Sequence, residues 1–149
     1  MEAVIFIGIQ GAGKSTFYSN YFFNTHIRIN LDMLKTRHRE QIFLQACLEG
    51  KQSFIIDNTN PNIEERQRYI IPAKAQGFRV VGYYFQTELE ECKQRNSQRP
   101  AKQIVPLVGL LGTYKKLVSP DWQEGFDAIY TVKPDLNYSF TVEEWQREI

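Results

Sequence analysis

At 149 residues the chain is long enough to bury one core and too short to carry a second folded catalytic unit, so a single domain over residues 1–149 is expected. Apolar residues at 42% and charged residues at 23% exclude disorder, collagen-like repeats and a fibrous role. The formal charge of +1 supplies no global pull toward nucleic acid, so any such binding must come from local clusters.

In chain order, Ala3 to Ile7 is a short apolar run closed by glycine, the pattern of a strand buried on both faces, and a helix follows from about Lys14. His26 to Asn30 reads as a second strand, after which Asp32 caps a helix running through Ile42, Phe43 and Cys47 to Gly50. Ser53 to Ile56 is a third strand, ending at Asp57. Asn60-Pro61 reads as an N-cap with proline at the first helical position, opening a helix toward Gly77 that Pro72 should kink or interrupt. Arg79 to Phe85 is the fourth strand, Thr87-Glu88-Leu89-Glu90 a capping box for a helix through Arg95, Gln103 to Val118 a further helix, and Ala128 to Val132 the last strand. In the tail from Lys133, Thr141, Glu143-Glu144 and Trp145 suit a short capped helix.

This alternation predicts an α/β layer fold with a mainly parallel sheet of about five strands and helices on both faces. No apolar run reaches the roughly 20 residues that span a bilayer, and the apolar start enters a Gly-rich turn, not a cleavage site; a cytoplasmic protein with no membrane association is expected. Cys47 and Cys92, without metal-ligand spacing and inside helix-like segments, predict buried reduced thiols and no disulfide.

Gly8-Ile9-Gln10-Gly11-Ala12-Gly13-Lys14-Ser15-Thr16 matches G-x-x-x-x-G-K-S/T between an apolar strand and a helix, the setting in which the motif has physical meaning. Gly8, Gly11, Ala12 and Gly13 turn backbone N–H groups onto phosphate, the helix start at Ser15 and Thr16 adds its dipole, Lys14 reaches the β/γ oxygens and Ser15 offers an oxygen to Mg²⁺. A nucleotide site follows, with transfer and hydrolysis both open at this point, because motors, switches and kinases share the loop.

Asp32 follows the second strand at the carboxyl edge of the sheet, where it either accepts a proton from an attacking hydroxyl or simply caps its helix. Asp57 ends the third strand, the place where P-loop enzymes hold Mg²⁺; a turn in which Asp57, Asn58 and Thr59 bond their own backbone is the plainer alternative. Asn58 and Thr59 are candidate substrate contacts. Arg95 and Arg99, with Lys93 and Lys102 beside them, suit a lid over residues 93–104 that closes on the donor phosphates, or else a basic helix end. Lys35, Arg37, His38 and Arg39 form a second basic group, suited to an acceptor phosphate or to a solvated helix face.

Taken together, the P-loop, Ile29-Asn30-Leu31-Asp32, Asp57-Asn58-Thr59-Asn60, and Arg95-Asn96-Ser97-Gln98-Arg99 with Val105-Pro106 and Tyr114-Lys115-Lys116 resemble the 5′-hydroxyl kinase domain of the polynucleotide kinases. The resemblance covers most of the chain and implies a P-loop NTPase fold of the nucleoside-kinase-like kind with a small helical lid. It further implies ATP as donor with Mg²⁺, a nucleic-acid 5′ end as acceptor, Asp32 as the base, and Arg99 supported by Arg95 on the donor phosphates. No obligate protein partner is implied.

Two positions depart from the family pattern. Lys35 stands where these kinases often carry an arginine that grips the acceptor phosphate, and an ammonium cannot make the bidentate fork; Arg37 is the candidate substitute. Gln10 and Ala12 replace a proline and a serine common in the family's loop. No D-x-D-x-T/V phosphatase sequence is present, so 3′-end processing is not expected. A kinase for a small hydroxylated metabolite, and an ATP-sensing module without transfer, are the competing readings.

Overall fold

Ala3 to Ile7 have no solvent exposure at all, because their strand lies at the centre of a sheet covered on both sides. The structure, a computed structural model, describes residues 1–135 and 139–146. The central strand β1 (Glu2–Ile7) pairs in parallel with β3 (Phe54–Ile56) on one side and β4 (Arg79–Phe85) on the other, with Val4 opposite Ile55 and Val81. β2 (Ile27–Ile29) lies outside β3, β5 (Ala128–Pro134) outside β4, and β6 (Phe140–Glu144) runs antiparallel to β5, giving the order β2-β3-β1-β4-β5-β6.

Side chains alternate across the strands, so successive residues of β1 feed two separate cores. Ala3, Ile5 and Ile7 pack with Leu44, Cys47 and Leu48 of α3 (Arg37–Glu49) and Tyr69, Ile70 and Ala73 of α4 (Ile63–Ala75). Val4 and Phe6 pack on the opposite face with Phe17 of α1 (Lys14–Tyr21), Cys92 of α5 (Leu89–Ser97) and Leu110 of α6 (Leu107–Lys116). The chain leaves β1 toward α1 on one face and leaves the neighbouring β3 toward α4 on the other. That divergence opens a crevice at the carboxyl ends of these strands, where open α/β sheets bind ligands. The α/β three-layer architecture is therefore as expected, and both cysteines are buried and free.

Local chemistry departs from the sequence reading at several places. The helix expected from Asp32 to Gly50 is two helices: α2 (Leu31–Leu34), capped by Asn30, whose side chain accepts from Met33 N, and α3, capped by Thr36. The break falls at Lys35, whose φ of 76° lies in the left-handed region and cannot continue a helix. Asn60 does not cap α4; its own φ is 44°, its amide donates to the Phe6 carbonyl at 2.8 Å, and Asn62 caps instead. α4 runs through Pro72 uninterrupted. Thr87 makes no capping box, since its hydroxyl donates to the Ala12 carbonyl and Glu88 precedes α5 without a side-chain cap bond. α6 begins only at Leu107, after a 3₁₀ turn over Ala101–Gln103.

The tail is a strand, not the capped helix expected from Thr141, Glu143-Glu144 and Trp145. β6 is mostly solvent-exposed, and its alternation over Phe140-Thr141-Val142-Glu143 stops at Glu144, too brief to set a strand apart from a capped helix. Its pairing is held by Trp145, whose backbone N–H donates to Ile129 O and whose indole N–H donates to Thr131 Oγ1. This adds a sixth strand to the five expected; residues 136–138 and 147–149 of that tail lie outside the described residues.

Candidate active site

The loop between β1 and α1 is shaped by two glycines. Gly11 has φ 81° and Gly13 φ 96°, and a Cβ on Gly11 would stand 2.3 Å from the Cys92 carbonyl oxygen, so α5 packs directly against the loop backbone. Gly8 closes β1 by donating its N–H to Thr59 O at 3.0 Å, fixing the loop against the segment that follows β3. The N-cap position of α1 is Gly13, with no side chain to satisfy the first helical amides of Lys14, Ser15 and Thr16; these are the donors that a phosphate accepts.

Lys14 is buried, and its ammonium donates to the carbonyls of Gly8 at 2.9 Å and Ile9 at 2.8 Å. Burial lowers its pKa from 10.5 to about 8, the charge of Asp57 opposes the shift, and Arg99 adds to it. Asp57, also buried, holds Ser15 Oγ, which donates to its Oδ2 at 3.0 Å. Arg28, which belongs to no motif in the sequence, joins them. Its Nε donates to the same Oδ2 at 2.8 Å and its terminal nitrogen donates to Ser15 Oγ at 3.0 Å. The one signal in the sequence is a charge between two isoleucines in β2, a strand whose end meets the proposed acid. The carboxylate of Asp57 thus serves other elements and not its own turn, while its carbonyl accepts from Asn30 Nδ2 at 2.6 Å.

Asp32 sits in the first turn of α2, exposed, with no hydrogen bond or ion pair on its carboxylate among the described residues, and close enough to Lys14 to raise that ammonium's pKa. It is not the helix cap; Asn30 is. Asn58 is not free for a substrate. Its Oδ1 accepts from Leu31 N at 2.8 Å and its amide donates to Glu40 Oε2 at 3.0 Å and Tyr69 OH at 3.2 Å. Glu40, buried, also accepts from Tyr69 OH and from Arg37, whose other terminal nitrogen donates to Glu65. Arg37 is therefore committed to a knot joining α3 and α4, and Lys35 stays exposed at the end of α2. His38 and Arg39 are exposed, and Arg39 donates to the Leu34 carbonyl.

Across the loop, Arg95 is in the last turn of α5, and one of its terminal nitrogens is buried with no hydrogen-bond partner among the described residues. That nitrogen lies 3.8 Å from where a Cβ on Gly13 would be, beside the start of α1. Arg99 follows, near enough to Lys14 to depress its pKa. Asn96 fastens this segment by donating to Val105 O at 2.7 Å and accepting from Val105 N at 3.0 Å. Phe140 of β6 was also missed: its ring comes within 3.3 Å of the same Gly13 Cβ position and packs edge-on against Phe17.

These residues fit a polyphosphate with its cation. The cradle leaves no room for a Cβ at Gly11, a buried guanidinium nitrogen near the loop has no hydrogen-bond partner among the described residues, and Ser15 and Asp57 offer hard oxygens. No group of three or more His, Cys, Asp or Glu able to hold a metal occurs among the described residues.

The fold and loop define a P-loop nucleotide-binding α/β domain. A sequence model of the AAA domain matches residues 4–108, more than half of the chain, and the protein belongs to that family. The chain is 34% identical over 138 residues to a protein of Acanthamoeba polyphaga mimivirus named as a bifunctional polynucleotide phosphatase/kinase, covering 88% of this chain and 33% of that protein. It is 28% identical over 136 residues to the bifunctional polynucleotide phosphatase/kinase of Schizosaccharomyces pombe, with the same coverage. The chain thus spans about one third of the length of these curated relatives. In fold it is similar to a gluconokinase from Sinorhizobium meliloti 1021, with a TM-score of 0.60 at 16% identity, covering 89% of this chain and 82% of that one. No helix among the described residues is long and apolar enough to cross a membrane.

Proposed function

We propose that the chain is an ATP-dependent kinase that transfers the γ-phosphoryl group to a hydroxyl, with the 5′-hydroxyl of a polynucleotide as acceptor. The observation that carries this reading is the Asp32 carboxylate at the sheet edge, which does not cap its helix, makes no hydrogen bond or ion pair among the described residues and lies within electrostatic reach of Lys14. The names of the two curated relatives support the choice of acceptor.

In this reading the acceptor oxygen bonds to the γ-phosphorus as the bond to the β–γ bridging oxygen breaks, ADP departs, and the hydroxyl proton passes to Asp32. The loop amides from Gly11 to Thr16 and the ammonium of Lys14 orient the β- and γ-phosphates, which requires Lys14 to leave the carbonyls of Gly8 and Ile9 for phosphate oxygens. Arg95 and Arg99 neutralise charge on the transferring group from the lid. Ser15 and Asp57 would hold Mg²⁺, which when bound would neutralise phosphate charge. Asn58 acts on the acceptor only indirectly, by fixing the first amide of α2 and with it Asp32. Thr59 and Lys35 are the remaining candidates for contact with the acceptor strand.

The test is transfer of labelled γ-phosphate from ATP to a short 5′-hydroxyl oligonucleotide, beside the same strand already 5′-phosphorylated and beside a sugar. Label on the hydroxyl strand alone supports the proposal. Label on the sugar alone favours the metabolite kinase, and no label on any acceptor with ATP still bound favours the sensing module.

A further inference from the structure

Arg28, Ser15 and Asp57 close a ring of three hydrogen bonds. The Ser15 hydroxyl gives its proton to Asp57 Oδ2 and uses a lone pair to accept from an Arg28 terminal nitrogen, while Arg28 Nε reaches the same Oδ2. The guanidinium therefore engages Ser15 Oγ and Asp57 Oδ2, one oxygen of each residue that the proposed function assigns to Mg²⁺. A divalent cation needs those lone pairs for itself and is repelled by a fixed positive charge beside them. Guanidinium and metal cannot share those oxygens, so the side chain must move. The position allows that: β2 is the edge strand, and the Arg28 side chain is 27% exposed while its Asp57 partner is 1% exposed. The carboxylate is buried and the cation is at the rim.

We propose that Arg28 is a resident cation competing with the divalent metal for Ser15 and Asp57, and that metal loading requires its guanidinium to swing out toward solvent. The ring keeps a buried carboxylate paired until the metal arrives and sets the metal affinity lower than the same oxygens would otherwise give. The inference rests on the nucleotide-site reading but not on the identity of the acceptor.

The test uses Mn²⁺ as the probe, with free Mn²⁺ followed by electron paramagnetic resonance in the presence of ADP, for the wild type, Arg28→Gln and Arg28→Lys. The expected result is Mn²⁺ binding tighter by about tenfold or more in Arg28→Gln, and near the wild-type value in Arg28→Lys, which keeps the charge. In the unaltered protein, the ¹⁵Nε resonance of Arg28, assigned by its loss in Arg28→Lys, should move on adding Mg²⁺ with ADP and stay in place with ADP alone. Unchanged or weaker Mn²⁺ binding in Arg28→Gln, or an Nε resonance indifferent to Mg²⁺, overturns the proposal and leaves Arg28 a buttress for Asp57. Absence of Mn²⁺–ADP binding in the wild type would instead sink the nucleotide-site reading and this inference with it.

Discussion

Lys14 holds its charge at a cost, buried against two carbonyls with a pKa near 8 instead of 10.5. A bound polyphosphate supplies the negative charge that the carbonyls lack and raises that pKa again. Above pH 8 the nucleotide-free lysine is largely neutral, so binding must take up a proton there, and affinity should fall as pH rises through 8. Calorimetry of ATP binding in buffers of different ionisation enthalpy should show uptake approaching one proton at pH 9 and none at pH 6.5; equal uptake at both would separate Lys14 from the phosphates. Lys14→Ala should abolish transfer in the same assay that detects it for the wild type. The loop residues were legible because their chemistry is local, a lysine and a hydroxyl at fixed distance from glycines. Arg28 and Asp57 lie 29 residues apart and meet only because β2 and β3 are parallel neighbours, which no local pattern encodes.

At the scale of elements, α2 is a single turn whose placement depends on other parts of the chain. Asn58 after β3 caps its first amide and is in turn held by Glu40 of α3 and Tyr69 of α4. The Tyr69 hydroxyl, buried and beside Glu40, is pushed up to about 12 and stays a donor throughout the working range. Asn58→Ala should cost about 1–3 kcal/mol in urea unfolding, by leaving the Glu40 carboxylate and the Leu31 amide short of partners. Because it displaces Asp32, it should lower kcat while leaving ATP affinity near normal; an unaltered kcat would show that α2 is held by other means. Asn96→Ala, which releases Val105, should loosen the lid and lower kcat in the same way. The periodicity between Asp32 and Gly50 reads as one helix because a single left-handed residue, Lys35, leaves no mark in the hydrophobic pattern. Likewise β6 leaves only a brief alternation because it lies at a solvent-facing edge, although Trp145 just after it and Phe140 within it tie it to β5 and to α1.

Across the whole molecule, the crevice is braced from below by Arg66, fully buried in α4. Its guanidinium donates to both oxygens of Glu124 and to the carbonyls of Asn60, Pro61 and Val118, joining the segment after β3 to the connection between α6 and β5. Arg66→Ala should destabilise the fold by about 3–5 kcal/mol, because Glu124 is left as an unpaired buried carboxylate, and urea melts measure it. Loss below 1 kcal/mol would mean that the pair is dispensable. Nothing in the composition marks Arg66 as buried, whereas the alternation of strands and helices made the layered architecture readable at once. The proposed transfer turns on Asp32. The most direct measurement is the single-turnover rate of γ-phosphoryl transfer from saturating ATP to a 5′-hydroxyl oligonucleotide, for the wild type and Asp32→Asn, with ATP affinity measured in parallel. The prediction is a loss of about 100-fold or more in rate at unchanged affinity, the size of a missing general base; a rate near that of the wild type would remove Asp32 from the chemistry and contradict the account.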